Sequence, residues 1–184
     1  MAETVKIKRR VITNREKIMK TVIKYPGLRF HQLKIQTNIA NGTVQHHLDQ
    51  LTKSGSIKIN YQKQIPRYYT HNIEDSTQVI LLRLRQNTTS KIIKSILKNE
   101  CQTFSQMVKF SKKSPGTVSV YKNMLLKDKI IIGDTNTCKC NRTLSSKVKY
   151  RLTDPDKIRL LVEEYGKTSL KRSVDNLADI FLSL

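Results

Sequence analysis

The sequence predicts a mainly α-helical chain with small β-hairpin wings, built as two tandem copies of one helix, helix, helix, hairpin unit and closed by C-terminal helices. Three observations predict it. A shift of 74 residues lays positions 18–57 over a second copy without a gap, and self-similarity at a fixed period marks a repeated architecture. Within the first copy, apolar residues recur at helical spacing and then give way to short β-rich runs. The 35 Lys+Arg against 14 Asp+Glu leave a net charge of +21 on 184 residues, a field that favours a polyanion, DNA or RNA.

Residues 1–12 form a basic arm, with Lys6, Lys8, Arg9 and Arg10 around Val5 and Ile7. It reads either as a frayed tail or short edge strand, or as an arm for a groove. The first domain spans 13–72. Asn14 is placed to cap a helix running to Tyr25, with Ile18, Val22 and Met19 inward, and Pro26-Gly27 ends it. Residues 30–36 make a second short helix with Phe30 and Leu33 inward. The third helix fills 41–55, with Asn41 as the expected N-cap and Gly55 as the stop. Val44, Leu48 and Leu51 form its inward stripe, with His47 at the edge, and Gln45, His46, Asp49 and Gln50 face out. Strands are expected at 56–60 and 67–71, joined through a loop whose Pro66 disfavours continued pairing.

The shift pairs Ile18 with Ile92, Phe30 with Phe104, Gly42-Thr43-Val44 with Gly116-Thr117-Val118, Leu51 with Leu125 and Ile57 with Ile131. A connecting helix at 76–86, with Val79, Ile80, Leu81, Leu82 and Leu84, is too apolar to be a solvated linker. The second domain covers 88–153, with strands at 129–134 and 147–152 and a long loop between them. Lys122 takes the place of inward Leu48, which predicts a shifted or distorted third helix there. Asp154-Pro155 opens a C-terminal helix with Ile158, Leu161, Val162 and Tyr165 on one stripe. Leu170, Val174, Leu177, Phe181 and Leu184 then form a heptad seam. Two heptads do not stand alone, so residues 170–184 either cover their own domain or form a homodimer.

Charge is unevenly placed: +9 over residues 1–75, +13 over 76–153 and −1 over 154–184. Three unevenly spaced cysteines describe no disulfide framework, which fits a reducing cytoplasm. There is no apolar run long enough for a bilayer and no signal-peptide core, so no membrane partner is expected.

The run Tyr25-Pro26-Gly27-Leu28-Arg29-Phe30-His31-Gln32-Leu33, followed by Asn41-Gly42-Thr43-Val44-Gln45-His46-His47-Leu48 and Leu51, resembles the tandem winged-helix transcriptional regulators of archaea, related in fold to the MarR and ArsR families. Their pattern is NPG-hydrophobic-x-F-x-x-L, then NGT-hydrophobic-x-x-HL-x-x-L. Ile65-Pro66-Arg67-Tyr68-Tyr69 sits where that family ends its wing. The resemblance covers 15–71 well and 88–152 more loosely. It implies a regulator that binds double-stranded DNA sequence-specifically, with its third helix in the major groove and its wing on the backbone or minor groove; the expected location is cytoplasmic, associated with the nucleoid. The family wing often turns on glycine, and Gln64-Ile65-Pro66 replaces it here.

Candidate base-reading residues in the first domain are Thr43, Gln45, His46 and Gln50, with Asn41 at the helix start, because such side chains match base-edge donors and acceptors. Asp49 either accepts from a cytosine amine or points away. Arg29, Lys63 and Arg67 are candidate phosphate clamps. In the second domain the candidates are Thr117, Ser119 and Asn123, beside apolar Val120 and Met124, with Lys112, Lys113, Lys139, Arg142 and Lys147 around them. The first domain is therefore expected to discriminate sequence, and the second to grip backbone or touch protein.

No cofactor or metal is expected. Cys138 and Cys140 make half a metal site, and adjacent His46 and His47 diverge by about 100° on a helix. No phosphate loop, nucleophile elbow or HExxH signature is present, and the basic region is too poor in carboxylates for a metal nuclease. Two alternatives to a regulator stay open: a factor that docks on RNA polymerase or general transcription factors, and an architectural protein that coats DNA by charge alone.

Overall fold

The computed structural model describes residues 12–62, 64–134 and 148–165. The chain divides into two compact units, Met1–Asn72 and Ile73–Leu184.

The first unit runs α1 (Asn14–Lys24), α2 (Phe30–Thr37), α3 (Asn41–Lys53), β1 (Ile57–Gln62) and β2 (Ile65–Thr70). Thr13, not Asn14, caps α1. Its hydroxyl accepts from the Glu16 amide while the Glu16 carboxylate accepts from the Thr13 amide, each at 3.2 Å, a reciprocal box that satisfies two orphan donors. Ile18, Val22, Leu33, Val44 and Leu48 meet in the core, each at most 1% exposed. Asn38 closes α2 in the left-handed region at φ 52, a conformation its short polar side chain tolerates. The α3 cap is Ala40, one residue before the expected Asn41, and it offers no side-chain acceptor. Gly55, at φ 70, follows the Ser54 C-cap and ends the helix as expected.

The wing is tighter than the sequence implied. Gln62 pairs with Ile65 and Tyr61 with Pro66, so the proline lies inside β2. Antiparallel pairs alternate between bonded and non-bonded. Tyr68 turns its N–H and carbonyl away from β1, toward Leu28 and Gly27, so Pro66, two residues earlier, also falls in a non-bonded pair and its missing N–H costs the ladder nothing.

The outer edge of β2 is stitched to the chain entering α2. Gly27 N donates to Tyr68 O at 2.7 Å, and Tyr68 N donates to Leu28 O at 3.1 Å. Gly27 sits at φ 79, and a Cβ there would lie 2.7 Å from the Tyr69 hydroxyl oxygen. Both facts require glycine at this position.

The second unit contains α4 (Asp75–Arg85), α5 (Asn87–Asn99), β3 (Cys101–Thr103), α6 (Phe104–Ser111), α7 (Pro115–Lys127), β4 (Ile131–Asp134), β5 (Lys149–Leu152) and α8 (Pro155–Tyr165). Its sheet is ordered β3-β5-β4. Both ends of α6 and α7 lie 74 residues beyond those of α2 and α3, and the positive-φ positions Asn38 and Gly55 recur at Lys112 and Lys129. Strand β3, which the sequence reading did not anticipate, contains Gln102, the counterpart of Leu28 at the edge of the first wing. Ile80 and Leu81 place α4 in the core of this unit with Ile92, Met107, Val118 and Ile158. Arg83 on α4 pairs with Asp128 at the end of α7, both largely buried. Asp154 caps α8 by accepting from the Lys157 amide at 3.0 Å.

Lys122 does not distort α7, which keeps the length of α3. Its ammonium lies 5.7 Å from the Phe104 ring centre and 5.4 Å from that of Tyr150, so two π faces accommodate a charge where the first unit buries Leu48. Cys101 is disulfide-bonded, which corrects the expectation of reduced thiols; cysteine spacing alone carries no connectivity. Cys138, Cys140, the basic arm over 1–11 and the heptad seam over 170–184 lie outside the described residues. Among the described residues, no helix is long and apolar enough to cross a membrane.

Candidate nucleic-acid interface

The α3 helix is positioned by its buried stripe. Val44, Leu48 and Leu51 are 0–3% exposed, which turns the opposite face outward. Asn41, Gln45, His46, Asp49 and Gln50 are all exposed, and Thr43 is half-buried. This face is polar, with Asp49 as its one charged member among these six. Gln45 Nε2 donates to Asp49 Oδ1 at 2.8 Å, one turn along the helix. His46 meets His47 edge to face, with ring centres 5.4 Å apart. His47 is half-buried, and its Nδ1 makes no hydrogen bond among the described residues.

Around α3 the cationic candidates divide. Arg29 is half-buried at the start of α2, where its backbone N–H donates to Gln32 Oε1 at 3.0 Å. Arg67 is corrected: it is 5% exposed, and its Nη1 donates to the Gly27 carbonyl oxygen at 2.9 Å. A guanidinium committed to a buried carbonyl ties the wing to the turn before α2 and is not presented to phosphates. Lys63 lies outside the described residues. Tyr61, which the sequence reading passed over, is 66% exposed near the wing tip. Tyr68 is buried on β2, and its phenol is held above the ordinary value by burial first, then by the charges of Tyr61 and Asp49.

In the second unit α7 is properly capped: the Ser114 hydroxyl accepts from the Thr117 amide at 3.3 Å and lies 2.8 Å from the Thr117 hydroxyl. Thr117 is therefore engaged in the cap. Ser119 is half-buried, while Asn123 is exposed beside Val120, 45% exposed. Lys112 and Lys113 are exposed at the α6–α7 turn. Lys139, Arg142 and Lys147 lie outside the described residues. Among the described residues, no group of three or more His, Cys, Asp or Glu could hold a metal ion.

A short helix entering a turn, a second helix with a polar outward face, and a hairpin behind it define a helix-turn-helix unit with a wing. Residues 12–81 match a family model described as an N-terminal HTH domain, HTH_HVO_0163_N. The match spans less than half of the chain and assigns that segment to a DNA-binding helix-turn-helix class. Neither the comparison with curated proteins nor that with solved structures returned a match.

Proposed function

We propose that the protein is a non-enzymatic transcriptional regulator that reads double-stranded DNA in sequence-specific fashion through α3 of its first unit. The observation that carries this reading is the outward face of α3. Gln45, His46 and Gln50 stand exposed opposite a stripe that is almost fully buried, and a face rich in amides and imidazole suits base edges in the major groove. The +21 net charge supplies phosphate attraction that is independent of sequence. The helix-turn-helix match over 12–81 supports the same class of partner.

On this reading the second unit is a second copy with a different surface. Val120 and Phe110 are 45% and 50% exposed, whereas Lys112 and Lys113 bring charge. That mixture favours backbone gripping or contact with a protein, such as polymerase or a general transcription factor, over base reading.

Selection from a pool of random duplexes tests the proposal. Recovery of a defined motif supports it. Uniform retention of all sequences indicates a coating protein, and weak DNA binding with polymerase co-purification indicates a docking factor; either result overturns the proposal.

A further inference from the structure

A carboxylate on a helix face meant for DNA needs an account, because phosphates repel it. Asp49 is exposed on the outward face of α3, and the structure shows what it holds: Gln45 Nε2 donates to its Oδ1 at 2.8 Å. Residues four apart on a helix are neighbours, and a pair of this kind adds a few tenths of a kcal/mol to an isolated helix at most. Stability is therefore a weak reason for the pair.

Chemistry supplies a stronger one. A glutamine amide has a donor end and an acceptor end of nearly equal shape, and an unrestrained side chain offers either end to a base. An ionised carboxylate only accepts. Asp49 thus fixes the amide with its nitrogen toward the C-terminal end of α3 and its oxygen away. One N–H goes to Asp49, which leaves the other N–H and the oxygen for a ligand. Two-point recognition of adenine uses this pair: the oxygen accepts from the N6 amine and the N–H donates to N7.

We infer, resting on the reading of α3 as the base-reading helix, that Asp49 is a positioning residue that sets the amide polarity of Gln45 and through it the preference for adenine at one position of the site. Its charge lowers affinity for DNA in general, so its removal separates affinity from selectivity.

The test uses the full chain and duplex selection, followed by binding to the selected duplex and to its single-base variants at one salt concentration. Asp49→Ala is expected to lose about fivefold or more of the discrimination at the base pair read by Gln45, the scale of one two-point contact, with affinity for unrelated duplexes equal or higher. Asp49→Glu keeps an acceptor-only group and is expected to retain the preference. In a Gln45→Ala background, Asp49→Ala is expected to change nothing further at that base pair. The inference is overturned if Asp49→Ala leaves the preference intact while Gln45→Ala removes it, or if Asp49→Ala still shifts the preference without Gln45, since Asp49 would then touch the base itself. A wild-type protein that selects no motif at all overturns the reading of α3 and this role together.

Discussion

Arg67 Nη1 donates to the carbonyl oxygen of Gly27 at 2.9 Å, and this bond joins the wing of the first unit to the turn that launches α2. The turn leads into α2 and α2 leads into α3, so the bond braces the segment that positions α3. Arg67→Ala is expected to destabilise the first unit by about 2 kcal/mol, the scale of a hydrogen bond to a charged group with its partner left buried. The salt dependence of DNA binding, measured by titration at several ionic strengths, should keep its slope, because no phosphate contact is lost. A slope reduced by about one unit would restore Arg67 as a clamp.

Gly27→Ala should be worse tolerated than its size implies. The residue sits at φ 79, and a Cβ would stand 2.7 Å from the Tyr69 hydroxyl oxygen. Backbone strain of about 1–2 kcal/mol adds to the displacement of a buried ring, so chemical denaturation should show a larger loss than at exposed Gly42, where nothing lies within 4 Å.

Lys122 stands between Phe104 and Tyr150. A double-mutant cycle of Lys122→Ala and Phe104→Ala, read by denaturant midpoint, should show coupling of about 0.5–1 kcal/mol. Strict additivity would mean that the ring contact contributes nothing.

Burial first, then a hydrogen bond with the Glu164 carboxylate, then that carboxylate's charge, push Tyr165 up to about 12. A phenol whose folded value exceeds its unfolded one favours the native state below the unfolded value, near 10, and that contribution is lost as pH rises toward 12. Ultraviolet titration of the tyrosines should therefore show a late component that shrinks by one phenol in Tyr165→Phe, because Tyr68 is also raised. A titration complete by pH 11 in the wild type would contradict this placement.

Much of this fold is legible because similar residues recur 74 positions apart. Phe30 and Phe104 mark the starts of α2 and α6, and the two Gly-Thr-Val runs lie in the first turns of α3 and α7. The pairing at the outer edge of each sheet is too short to show a period-2 pattern: an isolated bridge at Leu28 in the first unit and the three residues Cys101–Thr103 in the second. Pro66 misled in another way, since whether a proline breaks a ladder depends on which pair it falls in. Arg67 and Lys122 show the limit of charge counting: a cation in the sequence does not reveal whether a buried carbonyl or an aromatic ring has already claimed it. At α3, the inward stripe and outward face were readable from spacing, but the bond from Gln45 to Asp49 required side-chain geometry.

The most direct measurement of the central claim is competition between a selected duplex and a scrambled duplex of equal length, for the wild type and for Gln45→Ala combined with His46→Ala. Both side chains are exposed on α3, so the double variant should fold, keep its affinity for scrambled DNA and its salt slope, and lose about tenfold or more of the preference for the selected duplex. An undiminished preference in a folded double variant would contradict the assignment of α3 as the reading surface.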